Sequence, residues 1–163
     1  MEQDEKEFTD LIRRHRDMIW SVCRSYRLSA AWTVEDAFHE VLCDLWRGYG
    51  SFDRHSSERT WIFRVATNTM ISLTRRMGNQ PAPLVSELPD VQDRTEPPIQ
   101  ADNYRHLIDL VEALPEPDRS IVKAHAQGFG YAEIAKICGL TVGAVSMRLT
   151  RALRKLRQRY ERD

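Results

Sequence analysis

Residues 131–150 read YAEIAKICGLTVGAVSMRLT, and the spacing within them decides the fold class. Ala135 is followed four residues later by Gly139 and, six further on, by Val145. A small residue lets two helices approach, glycine supplies the positive backbone angle of a tight turn, and a β-branched residue packs the second helix on the first. Ile134, Leu140 and Leu149 complete this helix-turn-helix pattern, and Thr141 stands where the N-cap of the second helix belongs. From Val142 onward, Val145, Leu149, Ala152, Leu156 and Tyr160 form one apolar stripe. Arg148, Arg151, Lys155 and Arg159 form a second stripe about 100° away, at the ~100° per residue of a helix. Ser146, Met147, Thr150 and Arg154 project from the remaining surface. A helix whose N-terminus is free to enter a major groove, with a cationic flank to follow phosphates, suits DNA.

Outward from this motif the periodicity stays helical. Phe8, Leu11, Ile12, His15, Met18, Ile19, Val22, Cys23 and Tyr26 recur at three and four residues and predict a long first helix. Thr33 caps a predicted second helix with Val34, Ala37, Phe38, Val41, Leu42, Leu45 and Trp46 along its buried side. After a Gly- and Ser-rich loop over residues 48–57, a third helix carries Trp61, Ile62, Val65, Ala66, Thr69 and Leu73 on one side. Five of the seven prolines fall between Met77 and Ala101 among acidic and polar residues, the composition of a tether rather than a packed element. Helical spacing resumes at Tyr104, Leu107, Ile108, Val111 and Leu114, and Asp118 opens a short helix through Ala126. No stretch alternates with a period of two. The expectation is an all-α chain: one small helical domain over residues 1–76, a linker over 77–101, and a second helical domain over 102–163.

The 163 residues carry 24 basic and 24 acidic groups, but the zero sum hides their order. Residues 1–50 hold 7 basic and 10 acidic side chains, residues 51–80 hold 5 and 2, residues 81–118 hold 2 and 9, and residues 119–163 hold 10 and 3. Segregation on this scale points to contact with both a polyanion and protein surfaces. No stretch has the ~18 apolar residues of a membrane helix, and the first ten residues, MEQDEKEFTD, are acidic, the reverse of a signal peptide. Cys23, Cys43 and Cys138 are too scattered for a CxxC-type zinc site or a disulfide framework. The expected setting is soluble and cytoplasmic, with no membrane insertion.

At this point two blocks become recognisable. LVEALPEPDRSIVKAHAQGFGYAEIAKICGLTVGAVSMRLTRALRKLR, from Leu110 to Arg157, resembles region 4 of the sigma-70 family of bacterial sigma factors. VEDAFHEVLCDLWRGYGSFD, followed by TWIFRVATNTMISLTRR, resembles their region 2. The length, the Pro-rich tether and the lack of a region 3 resemble the extracytoplasmic-function (ECF, group 4) subfamily.

The resemblance implies a promoter-recognition subunit of RNA polymerase rather than an enzyme, with no catalytic residue, metal or cofactor of its own. Its implied partners are core RNA polymerase, through the β′ clamp helices and the β flap, and promoter DNA. Control by an anti-sigma factor, a response regulator or expression level stays open. The helix from Val34 to Trp46 matches the clamp-docking region 2.2 and offers Asp36, His39, Glu40, Asp44 and Arg47, with His39 where the family commonly has Gln. Arg64 and Asn68 match residues that read the −10 element and hold a flipped base, with Arg75 and Arg76 near phosphates. Glu58 departs from the pattern, standing where Phe is usual, and a carboxylate near DNA is unfavourable unless paired. Ser146, Met147, Thr150 and Arg151 match the readers of the −35 element, with Arg148 and Lys155 expected on phosphates. Gly130 replaces a usual Ser cap and predicts a helix start that frays more readily. The acidic tether would suit the basic polymerase cleft.

Two other classes compete. A metal-dependent hydrolase could draw on Asp36, His39, Glu40, Asp44 and His55, but no second His stands four positions after His39. A stand-alone helix-turn-helix regulator needs an effector or dimerisation domain in the first half, where region 2 is matched instead.

Overall fold

The computed structural model describes residues 1–54, 57–77 and 101–162, and every regular element in them is helical. The helices are α1 (Glu2–Arg24), α2 (Val34–Tyr49), α3 (Glu58–Arg76), α4 (Ala101–Glu112), α5 (Asp118–Ala126), α6 (Tyr131–Cys138) and α7 (Val142–Arg162). The first three pack on one another, and α7 gathers α4, α5 and α6 into a second cluster. The expected tether falls, from Gly78 to Gln100, outside the described residues, as does His55.

Local chemistry sets the ends of these helices. Glu2, Asp4 and Glu5 lie at the positive N-terminus of α1. The Thr33 hydroxyl accepts the Asp36 N–H at 3.1 Å, and the Asp36 carboxylate accepts the Thr33 N–H at 2.9 Å, closing a reciprocal cap on α2. Ser57 accepts the Thr60 N–H at 3.1 Å to start α3. The α6–α7 turn follows the predicted chemistry. Gly139 has φ +67°, the Leu140 N–H reaches back to the Ala135 carbonyl at 2.9 Å, and the Thr141 hydroxyl accepts the Ala144 N–H at 3.1 Å. At Gly130 the N–H donates to the Glu133 carboxylate at 3.3 Å, so the start of α6 has a partner despite lacking a hydroxyl.

Burial corrects the sequence reading in four places, the first being Trp46, expected on the buried side of α2 but 46% exposed. The first helix stops at Arg24, and Tyr26, expected on its stripe, is buried from the loop that follows. The α7 stripe is buried through Val145, Leu149, Ala152 and Leu156, but Tyr160 is 43% exposed, edging onto the His106 ring with centroids 5.6 Å apart. On α3 the expected Ile62, Ala66, Thr69 and Leu73 are buried, while Trp61 and Val65 are only half-buried. Phe63, Thr67 and Met70 are buried as well, giving α3 a second inward face. The cause is tertiary. The Phe63 ring packs on Phe129, which reaches over from between α5 and α6, with centroids 4.9 Å apart.

Candidate nucleic-acid interface

Three surfaces carry the residues singled out from the sequence, each held on a helix rather than a loop. On α7, Met147, Arg148, Thr150, Arg151 and Lys155 are exposed and Ser146 is half-buried. Because Val145 and Leu149 are fully packed, α7 cannot roll, and these six side chains keep one face of a fixed helix. Met147 is 59% exposed, an apolar side chain held out to solvent at the N-terminal end where a groove-inserted helix meets base edges. The Thr150 hydroxyl is turned back to donate to the Ser146 carbonyl at 2.9 Å. Arg148 differs from its neighbours. Its guanidinium bonds the Asp118 carboxylate at 3.1 Å, at the start of α5.

On α3, Arg64 and Asn68 are exposed one turn apart, and Arg75 and Arg76 are exposed at the helix end. Arg64 and Asn68 line a cavity of about 280 Å³ whose far wall is Glu116, Ser120, Ile137 and Cys138. Toward the other end of α3, Trp61 stacks on Phe52 with centroids 4.6 Å apart, beside Tyr49. Glu58, the departure from the family pattern, is paired: Arg14 donates to its carboxylate at 3.1 Å and His15 lies 3.3 Å away. Partial burial alone would raise the Glu58 pKa, but the hydrogen bonds from Arg14 and His15 outweigh it and hold the carboxyl below its usual range.

On α2, His39 and Arg47 are exposed and Glu40 is half-buried. Asp36 and Asp44 are already committed within the fold. The Asp36 carboxyl is held low by the backbone N–H of Thr33 and then by the Thr33 hydroxyl. Asp44 accepts from the Thr69 hydroxyl on α3 at 2.7 Å and from Arg47 at 2.8 Å, bridging the α2 face to the helix that carries Asn68.

A family model described as "Sigma-70 region 2" matches residues 11–79, and one described as "Sigma-70, region 4" matches residues 104–156. The chain is 26% identical over 154 residues to the ECF RNA polymerase sigma factor SigM of Mycobacterium tuberculosis, covering 94% of this chain and 76% of that protein. It is 26% identical over 162 residues to the ECF RNA polymerase sigma-E factor of Escherichia coli, covering 91% and 84%. This chain belongs to the ECF sigma factors of the sigma-70 family.

As an ECF sigma factor it directs transcription initiation through regions 2 and 4 and is not itself an enzyme. The all-helical fold agrees with two solved structures. CnrH, in complex with the cytosolic domain of CnrY, superposes at a TM-score of 0.72 with 22% identity, covering 98% of this chain and 90% of that one. The sigma factor RpoE, in complex with the anti-sigma factor NepR from Bartonella quintana, gives 0.70 with 20% identity, covering 94% and 96%. Among the described residues, no helix of this sigma factor is long and apolar enough to cross a membrane.

Sequence reasoning missed a further set of residues. Tyr26, Arg59, Phe63 and Lys123 join the region 2 cluster to the region 4 cluster. The one available signal was Lys123, a charge inside the apolar run Ile121–Ala124, where it is 7% exposed.

Proposed function

We propose that α7 reads the −35 element, with Ser146, Met147, Thr150 and Arg151 toward base edges and Arg148 and Lys155 toward phosphates. Arg64 and Asn68 on α3 hold an unstacked base of the −10 element, and Arg75 and Arg76 follow its backbone. The α2 face of Asp36, His39, Glu40, Asp44 and Arg47 docks the β′ clamp helices of core polymerase, and region 4 meets the β flap. In this reading residues 1–76 and 102–163 are the two working domains, and 77–101 joins them. Regulation by an anti-sigma partner belongs to this reading, since RpoE is seen with NepR.

The observation that supports this best is the rigid, cation-bearing face of α7 behind a glycine turn with its N-terminal end exposed. An isolated regulator could share that helix, but not the region 2 match over residues 11–79. The deciding experiment is run-off transcription with core polymerase on a randomised promoter library. The expected product depends on core and on two separate promoter elements, near −10 and −35. Transcription unaffected by Asn68→Ala together with Arg151→Ala, on every library member, overturns the residue assignment.

A further inference from the structure

Outside the three proposed surfaces, the end of the three-helix bundle holds a groove with aromatic walls and an acidic rim. It runs between the N-terminal half of α1 and the segment that leaves α2. Two hollows of about 440 and 300 Å³ share Glu7, Tyr49, Phe52 and Arg54, and so make one groove. Asp4 and Trp46 continue it in one direction, and Asp10, Arg14 and Glu58 in the other. Its position sets it apart from the clamp-docking face. Trp46 and Tyr49 lie against Phe8 of α1, with ring centroids 5.0 and 5.3 Å away, whereas Asp44 is tied to α3.

Two properties of the groove point to a ligand class. The first is uncovered aromatic surface: Trp46 is 46% exposed, and Tyr49 and Phe52 are only half-buried. Aromatic faces open to water attract cations through the ring quadrupole, and the stems of Lys and Arg lie well along them. The second is charge. Among the described residues the lining has four carboxylates, on Asp4, Glu7, Asp10 and Glu58, against the two guanidiniums of Arg14 and Arg54. Arg14 is engaged by Glu58 at 3.1 Å, Arg13 stays 4.0 Å from Asp10, and Glu7 accepts from the neutral Gln3 amide at 3.2 Å. Glu2 and Glu5, exposed on other faces of α1, extend the negative field. That field repels the phosphates of a nucleic-acid strand. It repels the chain's own tether as well, since residues 78–100 carry four carboxylates and one guanidinium.

Helix geometry fixes a spacing. Asp4 and Asp10 stand six residues apart on α1, about 9 Å at the ~1.5 Å rise of a helix. A polyproline-II segment rises ~3.1 Å per residue and repeats its face every third residue, so its positions i and i+3 are also about 9 Å apart on one side. We propose that this groove docks an extended basic peptide segment of a partner protein, with one Lys or Arg against Asp4 and Glu7 and a second, three residues on, against Asp10. The stems of both side chains lie on Trp46, Tyr49 and Phe52. The assignment is independent of the −10, −35 and clamp-docking readings.

The test is fluorescence anisotropy with the full chain and a labelled heptapeptide amide, Gly-Arg-Pro-Pro-Arg-Gly-Gly, which carries the predicted spacing. A peptide of the same composition with adjacent cations, Gly-Arg-Arg-Pro-Pro-Gly-Gly, should bind about fivefold more weakly, because only one cation is seated. Asp4→Asn with Glu7→Gln should weaken the matched peptide about tenfold, while Glu2→Gln with Glu5→Gln, which removes the same charge off the groove, should change it less than about twofold. Trp46→Leu should cost about threefold and leave the salt dependence unchanged, since it removes a ring and no charge. Helical circular dichroism identical to the parent accompanies each comparison. Equal weakening by the two double variants overturns the proposal, because charge alone would then hold the peptide. Equal binding of the two peptides, or no saturable binding to the parent, overturns it too. Sedimentation of the chain alone covers the remaining occupant: a dimer that Asp4→Asn with Glu7→Gln dissociates would seat a second copy in the groove and displace the partner peptide from the proposal.

Discussion

At Arg148 the guanidinium that bonds Asp118 is also the one proposed to meet phosphate, and substitution separates the two. If that phosphate role holds, Arg148→Ala should weaken all duplexes alike, lowering the salt slope of binding by about one. The same change removes the bond to Asp118, an exposed pair worth no more than about 1 kcal/mol. Asp118→Ala frees the guanidinium instead, so sequence-independent affinity should rise and its salt dependence steepen. Titrating both variants against non-promoter duplex at several salt concentrations checks the pairing; equal slopes for Arg148→Ala and parent exclude the phosphate role. Arg151→Ala should behave differently, relaxing preference at one base position at a cost of about 1–3 kcal/mol, read from a mismatch series. Gly139 is decided by backbone alone: with φ +67° and open space where a Cβ would go, Gly139→Ala should cost about 1–2 kcal/mol in urea unfolding. Gly139→Asn should cost less, because Asn tolerates that conformation.

Among the elements, α3 sets the limit of what periodicity reveals. Helices α1, α2 and α7 each bury one stripe, and those stripes, save for Tyr26, Trp46 and Tyr160 at their ends, and the caps at Thr33 and Thr141 were legible from spacing alone. The third helix buries two, so its apolar residues spread around the axis and a single-stripe reading finds only the side facing α1 and α2. Phe63 was invisible for that reason. It packs on a residue 66 positions later, and no local pattern encodes a contact of that range. Phe63→Ala should cost about 3–5 kcal/mol, comparable to a core aromatic, as measured by denaturant unfolding. Had α3 been an ordinary surface helix on that side, the loss would fall below about 1 kcal/mol. The site was legible to the same degree. Side chains on α7 and the exposed edge of α3 follow from helical phase, whereas the bonds that engage Asp44 and Arg148 depend on which helix lies opposite.

For the whole molecule, the charge blocks find their places only once the halves are brought together. The basic 119–163 block carries Lys123 into contact with Tyr26 of the acidic first half, with Glu112 of α4 accepting from it at 2.6 Å. Burial pushes the Lys123 ammonium down to about 8, against the opposing pull of Glu112 and Glu116 and with Arg119 adding to the depression. Below pH 8 the lysine is protonated folded or unfolded and contributes no pH dependence. Between pH 8 and 10.5 the unfolded chain binds more protons, so folded stability rises with pH. The buried Tyr26 phenol, raised above its usual value first by burial and then by Glu112 and Glu116, opposes this from about pH 10 upward. Urea midpoints at pH 7.5 and 9.5 should therefore show a gain of about 2 kcal/mol in the parent that Lys123→Met abolishes; equal gains in both chains would assign it to other groups. The bond between Asp44 and Thr69 carries a mechanical consequence. Thr69 is the neighbour of Asn68 along α3, so a cation that draws the Asp44 carboxylate away from the Thr69 hydroxyl removes the tie to α2 beside Asn68 and leaves that hydroxyl only the Val65 carbonyl, 2.9 Å away, on its own helix. A load applied to α2 at Asp44 would therefore be felt first on α3 at the residue next to Asn68.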